Sequence, residues 1–462
     1  MIHIDRTIKS LSAAMLGVVL LGGCRLYKPY ERPAEAEAVA DSLFRPATAT
    51  DTTSLAQLRW STLFTDPLLQ ALIDTALCHN TDLATARLRV EAAEAQLRAA
   101  KLAFAPSMSA SVEGGVKSLD GAKASKTYTL ALSADWEIDA AGKLLNAKRG
   151  AQASLEAERA AQQAVQTQLV ATVANSYYTL LMLDRQLDIA RRTAQTWQDY
   201  LRTMQALKRA GQTTELAVAQ TEASKLSTDA TVVDLQRQIS ETENALTALM
   251  GITPGPVKRS TLEEQQFPET LTTGLPITLL SQRPEVREQE ALLASAYYAT
   301  NVARAAFYPS ITLSGSAGWT NAAGAAISNP GQWLLQAVGS LVQPLFNRGQ
   351  IKANLKVAEA QQQQALLAFR QSLLDAGSDV NNALVQWQSA RERIQLDSQQ
   401  TTALQKALRS AELLMRYTSQ NYLEVITARQ SLLQAELNVA ADRFDEIQGV
   451  INLYHALGGG QK

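Results

Sequence analysis

Cysteine, histidine and proline are all scarce in these 462 residues, and each scarcity removes a class of protein. The two cysteines, Cys24 and Cys78, are too few for a disulfide framework and lack the spacing of a zinc site. The three histidines, His3, His79 and His455, have no second histidine or cysteine at metal-ligand spacing. Charge of one sign is lacking too, since 43 basic and 44 acidic residues leave no basic footprint for nucleic acid. No glycine-rich phosphate loop follows a strand into a helix, and there is no nucleophile elbow. An enzyme, a cofactor and a resident metal are therefore not expected. Cys78 is expected to pack in a helix as a small half-buried apolar residue.

Long hydrophobic runs are missing as well. The run from Leu11 to Leu21 follows Arg6 and Lys9 and is too short to span a bilayer, so residues 1–23 read as a secretory signal. It ends in Leu21-Gly22-Gly23-Cys24, which looks like a bacterial lipobox with Cys24 as the lipidated residue. Arg25 behind it favours sorting to the outer membrane. Past Cys24 no stretch of about 18 apolar residues occurs, so whatever crosses a membrane must cross as strands. Pro29, Pro33, Pro46 and a Thr/Ala/Asp-rich run mark 24–58 as an extended, lipid-anchored leader.

Proline is absent from 107 to 253 and from 345 to the end, whereas six prolines fall between 254 and 309. Long helices exclude internal proline, so two helical stretches separated by a connector are expected. The two stretches repeat one another. Ala99-Ala-Lys-Leu-Ala-Phe104-Ala-Pro106-Ser107 aligns with Val302-Ala-Arg-Ala-Ala-Phe307-Tyr-Pro309-Ser310 at an offset of 203. Gly142-Lys143 aligns with Gly349-Gln350, and Leu216-Ala-Val218 with Leu423-Glu-Val425, at an offset of 207. The expected organisation is a first repeat over 59–253, a connector over 254–283, a second repeat over 284–457 and a tail over 458–462.

Within the second repeat Ala365, Phe369, Leu373, Ala376, Val380, Ala383, Trp387, Ala390 and Ile394 step by fours and threes, a heptad-like seam. It predicts a helix from about 350 to 416, roughly 100 Å long at 1.5 Å per residue, with an equivalent from about 143 to 210. Each meets a short break, at 210–213 and 417–421, and a second helix follows to about 250 and 457. Ahead of each long helix the period changes to two. Tyr128, Leu130, Leu132, Ala134 and Trp136 alternate with polar neighbours, as do Ile311, Leu313, Gly315, Ala317 and Trp319. Hairpins pairing 107–117 with 127–137 and 309–319 with 333–345 are expected.

Four strands per chain cannot close on themselves, and an open edge in lipid costs several kcal/mol for each unpaired backbone group. Copies must therefore share a barrel. Two copies would fill its interior with side chains, while three give twelve strands and begin to leave a lumen.

Trp60-Ser-Thr-Leu-Phe64-Thr-Asp66-Pro67, Asn80-Thr-Asp82-Leu83, Arg283-Pro284-Glu285-Val286, Ala305-Ala-Phe307-Tyr-Pro309-Ser310 and Gln343-Pro344-Leu345-Phe346 resemble, in that order, the recurring segments of the TolC-like outer membrane factor family. The likeness is greatest to its lipoprotein branch, which serves resistance-nodulation-division pumps. It covers nearly the whole mature chain. The resemblance implies a mainly helical fold with membrane strands, in which a long helical barrel continues a trimeric twelve-stranded outer-membrane β-barrel. It implies a passive efflux duct located in the outer membrane, with a homotrimer, a periplasmic adaptor, an inner-membrane pump and outer-membrane lipid as partners. It also implies an aperture near the second hairpin break, at Tyr422, Leu423, Glu424, Thr427 and Arg429. Relatives commonly carry an aspartate where Thr427 stands, so Glu424, one turn earlier, is the available carboxylate. Leu423 is the expected apolar constriction, with Arg429 supporting closure. A periplasmic adaptor and a structural coiled-coil lipoprotein without a pore remain the rival readings.

Overall fold

The computed structural model describes residues 27–33, 59–118, 120, 121, 124–265, 267, 283–321, 332–417 and 422–460. Eleven main elements follow one another among them: α1 (Pro67–His79), α2 (Thr81–Leu102), β1 (Ser107–Lys117), β2 (Ser125–Ile138), α3 (Lys143–Arg209), α4 (Glu215–Leu249), α5 (Pro284–Ala305), β3 (Ser310–Thr320), β4 (Gln332–Val342), α6 (Gln350–Tyr417) and α7 (Tyr422–Ala456). The expected strand and helix limits fall within three residues of these bounds. The signal residues, Cys24, most of the leader, and 418–421 of the second break lie outside the described residues.

The chain folds into two compact units, one of residues 1–36, 88–160 and 287–371, the other of residues 37–87, 161–286 and 372–462. The first unit holds one four-stranded antiparallel sheet in the order β1-β2-β3-β4. Its centre is the β2·β3 pairing, which joins the two repeats, and β1 and β4 are its edges. Each strand pair leads into a long helix through a glycine, Gly142 at φ 71° and Gly349 at φ 79°, a left-handed turn that other residues adopt only with strain. The described part of the leader, 27–33, lies along α5. There the Arg32 guanidinium donates to Glu290 at 2.7 Å and 2.5 Å, and the Tyr298 hydroxyl accepts from the Tyr30 amide at 3.2 Å.

The second unit is helical and is tied together by two polar networks, one buried and one half-buried. Asp66 caps α1 by accepting from the Leu68 amide at 2.9 Å, while Pro67 occupies the first helical turn, where its missing N–H costs nothing. The same carboxylate accepts from the hydroxyls of Tyr177, at 2.6 Å, and Ser260. Burial raises its pKa, and these hydrogen bonds outweigh that and hold it below the usual value. Nearby, Arg259 from the connector pairs with Asp184 of α3 and Glu243 of α4, both at 2.5 Å.

Every member of the seam from Ala365 to Ile394 is buried or half-buried, as its spacing requires. One expectation fails: Cys78 is exposed. The buried residues of α1 are Leu69, Ile73 and Ala76, one stripe at helical spacing, and position 78 falls away from it.

Candidate functional site

The sheet carries one of two candidate features. Its register places Met108, Ala110 and Val112 of β1, Leu130, Leu132 and Trp136 of β2, Leu313, Ala317 and Trp319 of β3, and Trp333, Leu335 and Leu341 of β4 on one face. Most of these side chains are exposed, and a face this apolar and this free suits lipid. The opposite face is hydroxylated. Ser109 bonds Ser133 at 2.9 Å, Thr129 bonds Thr320 at 3.1 Å, Thr312 bonds Ser340 at 2.5 Å, and Ser314 donates to Asp135 at 2.7 Å. Such ladders satisfy polar side chains along a wetted wall. At the centre, a Cβ added to Gly318 would stand 2.0 Å from the Leu130 carbonyl oxygen, so only glycine fits there.

The helical hairpins carry the other feature. Thr214 caps α4 by accepting from the Ala217 amide at 3.2 Å, after the turn at Gly211. One buried apolar cluster joins both hairpin ends, with Trp197, Tyr200, Leu201 and Met204 from α3, Ala217 and Val218 from α4, Ala411 from α6, and Val425 and Ile426 from α7. Arg429 enters this cluster. Its guanidinium lies 2.5 Å from Glu412 on α6, 5.4 Å from the centre of the Tyr200 ring and 5.9 Å from that of Trp197. A cation held between a carboxylate and two aromatic faces ties three helices at one point. The Tyr200 hydroxyl donates to the Met415 sulfur at 3.0 Å, and burial pushes its pKa up to about 12.

The five expected aperture residues divide. Leu423, Glu424 and Thr427 are exposed and lie on one side of the first turns of α7, Leu423 being 53 % accessible. Among the described residues Glu424 forms no ion pair. Tyr422 and Arg429 turn inward to the cluster instead. Glu412, Trp197 and Tyr200 were not anticipated as partners of Arg429. The i, i+3 aromatic pair ahead of the first break was the available signal for them.

Further along the second hairpin a charge is buried where an apolar residue would be ordinary. Asp442 of α7 is 4 % exposed, pairs with Arg393 of α6 at 3.2 Å, and leaves Oδ2 without a hydrogen bond of normal geometry. Burial, reinforced by the neighbouring Asp397 carboxyl and opposed by Arg393, pushes its pKa up to about 6.

The family profile described as outer membrane efflux protein matches residues 72–252 and 275–459. The chain is 30% identical to the cation efflux system protein CusC of Escherichia coli O6:H1 over 95% of its own length and 96% of that protein. It is 29% identical to the probable outer membrane lipoprotein SilC of Salmonella typhimurium, covering 96% of this chain and 97% of that one. Among solved structures, the open state of the Neisseria gonorrhoeae MtrE outer membrane channel superposes with a TM-score of 0.83 at 29% identity, over 95% of this chain and 99% of the other.

Proposed function

The chain belongs to the outer membrane efflux protein family and is the outer-membrane channel component of an efflux system, and from that premise we propose how it conducts and with what it assembles. Three copies share one twelve-stranded barrel, through which small toxic molecules pass passively. An adaptor and an inner-membrane pump of the resistance-nodulation-division type supply direction and energy. The observation that carries this reading is the sheet, whose one face is apolar and exposed, whose other face is hydroxylated, and whose edges β1 and β4 are open. Edges cannot stay open in lipid, so neighbouring copies close them. Cys24 carries the lipid, in keeping with the lipoprotein relative SilC.

At the aperture, Leu423, Glu424 and Thr427 face the pore, while Tyr422 and Arg429 hold their helix to the rest of the hairpin ends. A threefold ring of Glu424 carboxylates attracts cations, and Leu423 narrows the passage. The test is single-channel recording in planar bilayers. Purified protein is expected to conduct with a preference for cations, which Glu424→Ala weakens. Unchanged selectivity in that variant would remove Glu424 from the pore lining, and absence of conductance under any opening condition would argue against the duct itself.

A further inference from the structure

At one end the apolar face of the sheet gives way to cations. Ser107 of β1 stands opposite Asp135, Ile138 of β2 opposite Ile311, and Ser310 of β3 opposite Val342, so all four strands meet their helices at the same end. Just beyond it, 140–153 carry Lys143, Lys148 and Arg149, 291–309 carry Arg304, and 343–358 carry Arg348, Lys352 and Lys356, with no aspartate or glutamate in any of the three stretches.

We infer that Lys28, Arg149, Arg304, Lys352 and Lys356 form a docking surface for the phosphate groups of anionic glycerophospholipids in the leaflet that faces the periplasm. The inference rests on the reading above that lipid covers the apolar face of the sheet and that Cys24 is acylated, and it adds the headgroups that the helices bind.

The leader shows that these cations share a side. On α3, the Arg149 guanidinium lies 6.0 Å from the centre of the Tyr298 ring, whose hydroxyl accepts from the leader amide of Tyr30. On α5, steps of seven residues run from Glu290, paired with Arg32, through Tyr297, which donates to the Lys28 carbonyl at 3.1 Å, to Arg304. On α6, Lys352, Lys356 and Gln363 stand at helical spacing on one side, and Gln363 borders the hollow beside the leader with Tyr30 and Tyr297. Lys28, Arg304, Lys352 and Lys356 are exposed, and among the described residues only Arg304 of these is ion-paired, to Glu359 at 3.7 Å. Lys352 also stands in the first turn of α6, which holds no acid, so its charge opposes the positive end of its own helix. An external anion relieves that repulsion.

The anchor sets the level of the membrane. Tyr27 lies against the turn between β2 and α3, where a Cβ added to Gly142 would stand 3.6 Å from its ring. Cys24 is three residues away, at most about 11 Å of chain. Acyl chains on it therefore enter the bilayer beside this end of the sheet, and an exported lipoprotein places them in the periplasmic leaflet. Exposed Tyr308, Leu345 and Phe346 lie between the strands and the cations, as residues at headgroup level do. The phosphates of that leaflet then stand where the cations begin, and opposite charge draws them in.

The test is native mass spectrometry of the full-length protein extracted from outer membranes, titrated with soluble dihexanoyl phosphatidylglycerol or dihexanoyl phosphatidylcholine. Phosphatidylglycerol is expected to bind at least about fivefold more tightly. Replacing Arg304, Lys352 and Lys356 together by glutamine should remove that preference and leave the number of chains unchanged, whereas replacing Arg191, Arg202 and Arg209 by glutamine should preserve it. Equal binding of the two lipids, a preference that survives the first triple variant, or displacement by an equal concentration of inorganic phosphate overturns the inference. Loss of chains from the particle in that variant makes the patch a contact between copies and overturns it as well. The same spectra weigh the acyl group on each chain: an acylated particle without the preference overturns the docking surface and leaves the anchored channel standing, whereas a particle without acyl chains contradicts the anchor that sets the membrane level.

Discussion

The two repeats keep one plan at the membrane and diverge at the hairpin end. At the offset of 207, Ala217 corresponds to Glu424, Ala219 to Ile426 and Glu222 to Arg429. Ala217 is buried and Glu424 is exposed, while Ala219 is exposed and Ile426 is buried. In the first turn the buried set thus shifts by about one residue, while Val218 and Val425, and further on Leu235 and Asp442, are buried in both. In the first repeat the shift frees the small apolar Ala219. In the second it frees a carboxylate and draws Arg429 inward to Glu412 and two aromatic rings. A duplicated helix has been put to two uses by a local shift of its buried set and a few side chains, with the backbone plan unchanged.

The largest effect that would sharpen this comparison lies in the sheet. Gly318 corresponds to Gly115 at the offset of 203. A Cβ at Gly318 would meet backbone at 2.0 Å, whereas one at Gly115 would meet only the Thr127 hydroxyl, at 2.9 Å. Gly318→Ala should cost about 3 kcal/mol, since the β2·β3 backbones must separate. Gly115→Ala should cost less than about 0.5 kcal/mol, since a side chain can give way. The temperature at which the assembled form is lost on gels checks both, and equal shifts would break the contrast.

Next comes Arg429. Truncation to alanine leaves Glu412 half-buried without its cation and removes both ring contacts, at a cost of about 2 kcal/mol. Its counterpart Glu222 is exposed, and Glu222→Ala should leave local stability within about 0.5 kcal/mol. Hydrogen exchange over Trp197–Met204 measures the difference.

A third contrast sets Asp442 against Leu235, its buried counterpart. An aspartate pKa raised from 3.8 to about 6 means that the fold prefers the protonated carboxyl. Its stabilising contribution is therefore complete below pH 3.8 and is lost as the pH rises through about 6. The α6/α7 hairpin should lose about 3 kcal/mol across that window by linkage. Asp442→Leu, which gives the second repeat what the first already has, should abolish this part of the slope. Unfolding followed against pH tests it, and parallel curves for the two proteins would contradict the assignment.

How far the fold could be read from the sequence follows the same divide. The strands were legible because alternation of Leu130, Leu132 and Trp136 with Thr129, Ser133 and Asp135 has a period that only an extended chain satisfies. The long helices were legible from absent proline and from the seam around Phe369 and Val380. The buried face at the hairpin ends was not, because alanine sits on both sides of α4 and gives little contrast: Ala217 is core and Ala219 is surface. Cys78 was misplaced because one apolar residue on a short helix carries no phase of its own. At the aperture, Leu423, Glu424 and Thr427 share one exposed face of α7, whereas the partners of Arg429 come from other elements far along the chain.

The account stands on copies that close one another's sheet edges, and the number of chains in the assembled particle tests that most directly. Native mass measurement of the full-length protein extracted from outer membranes should give three chains. Two chains, whose eight strands would leave no lumen, or a single stable chain would contradict it.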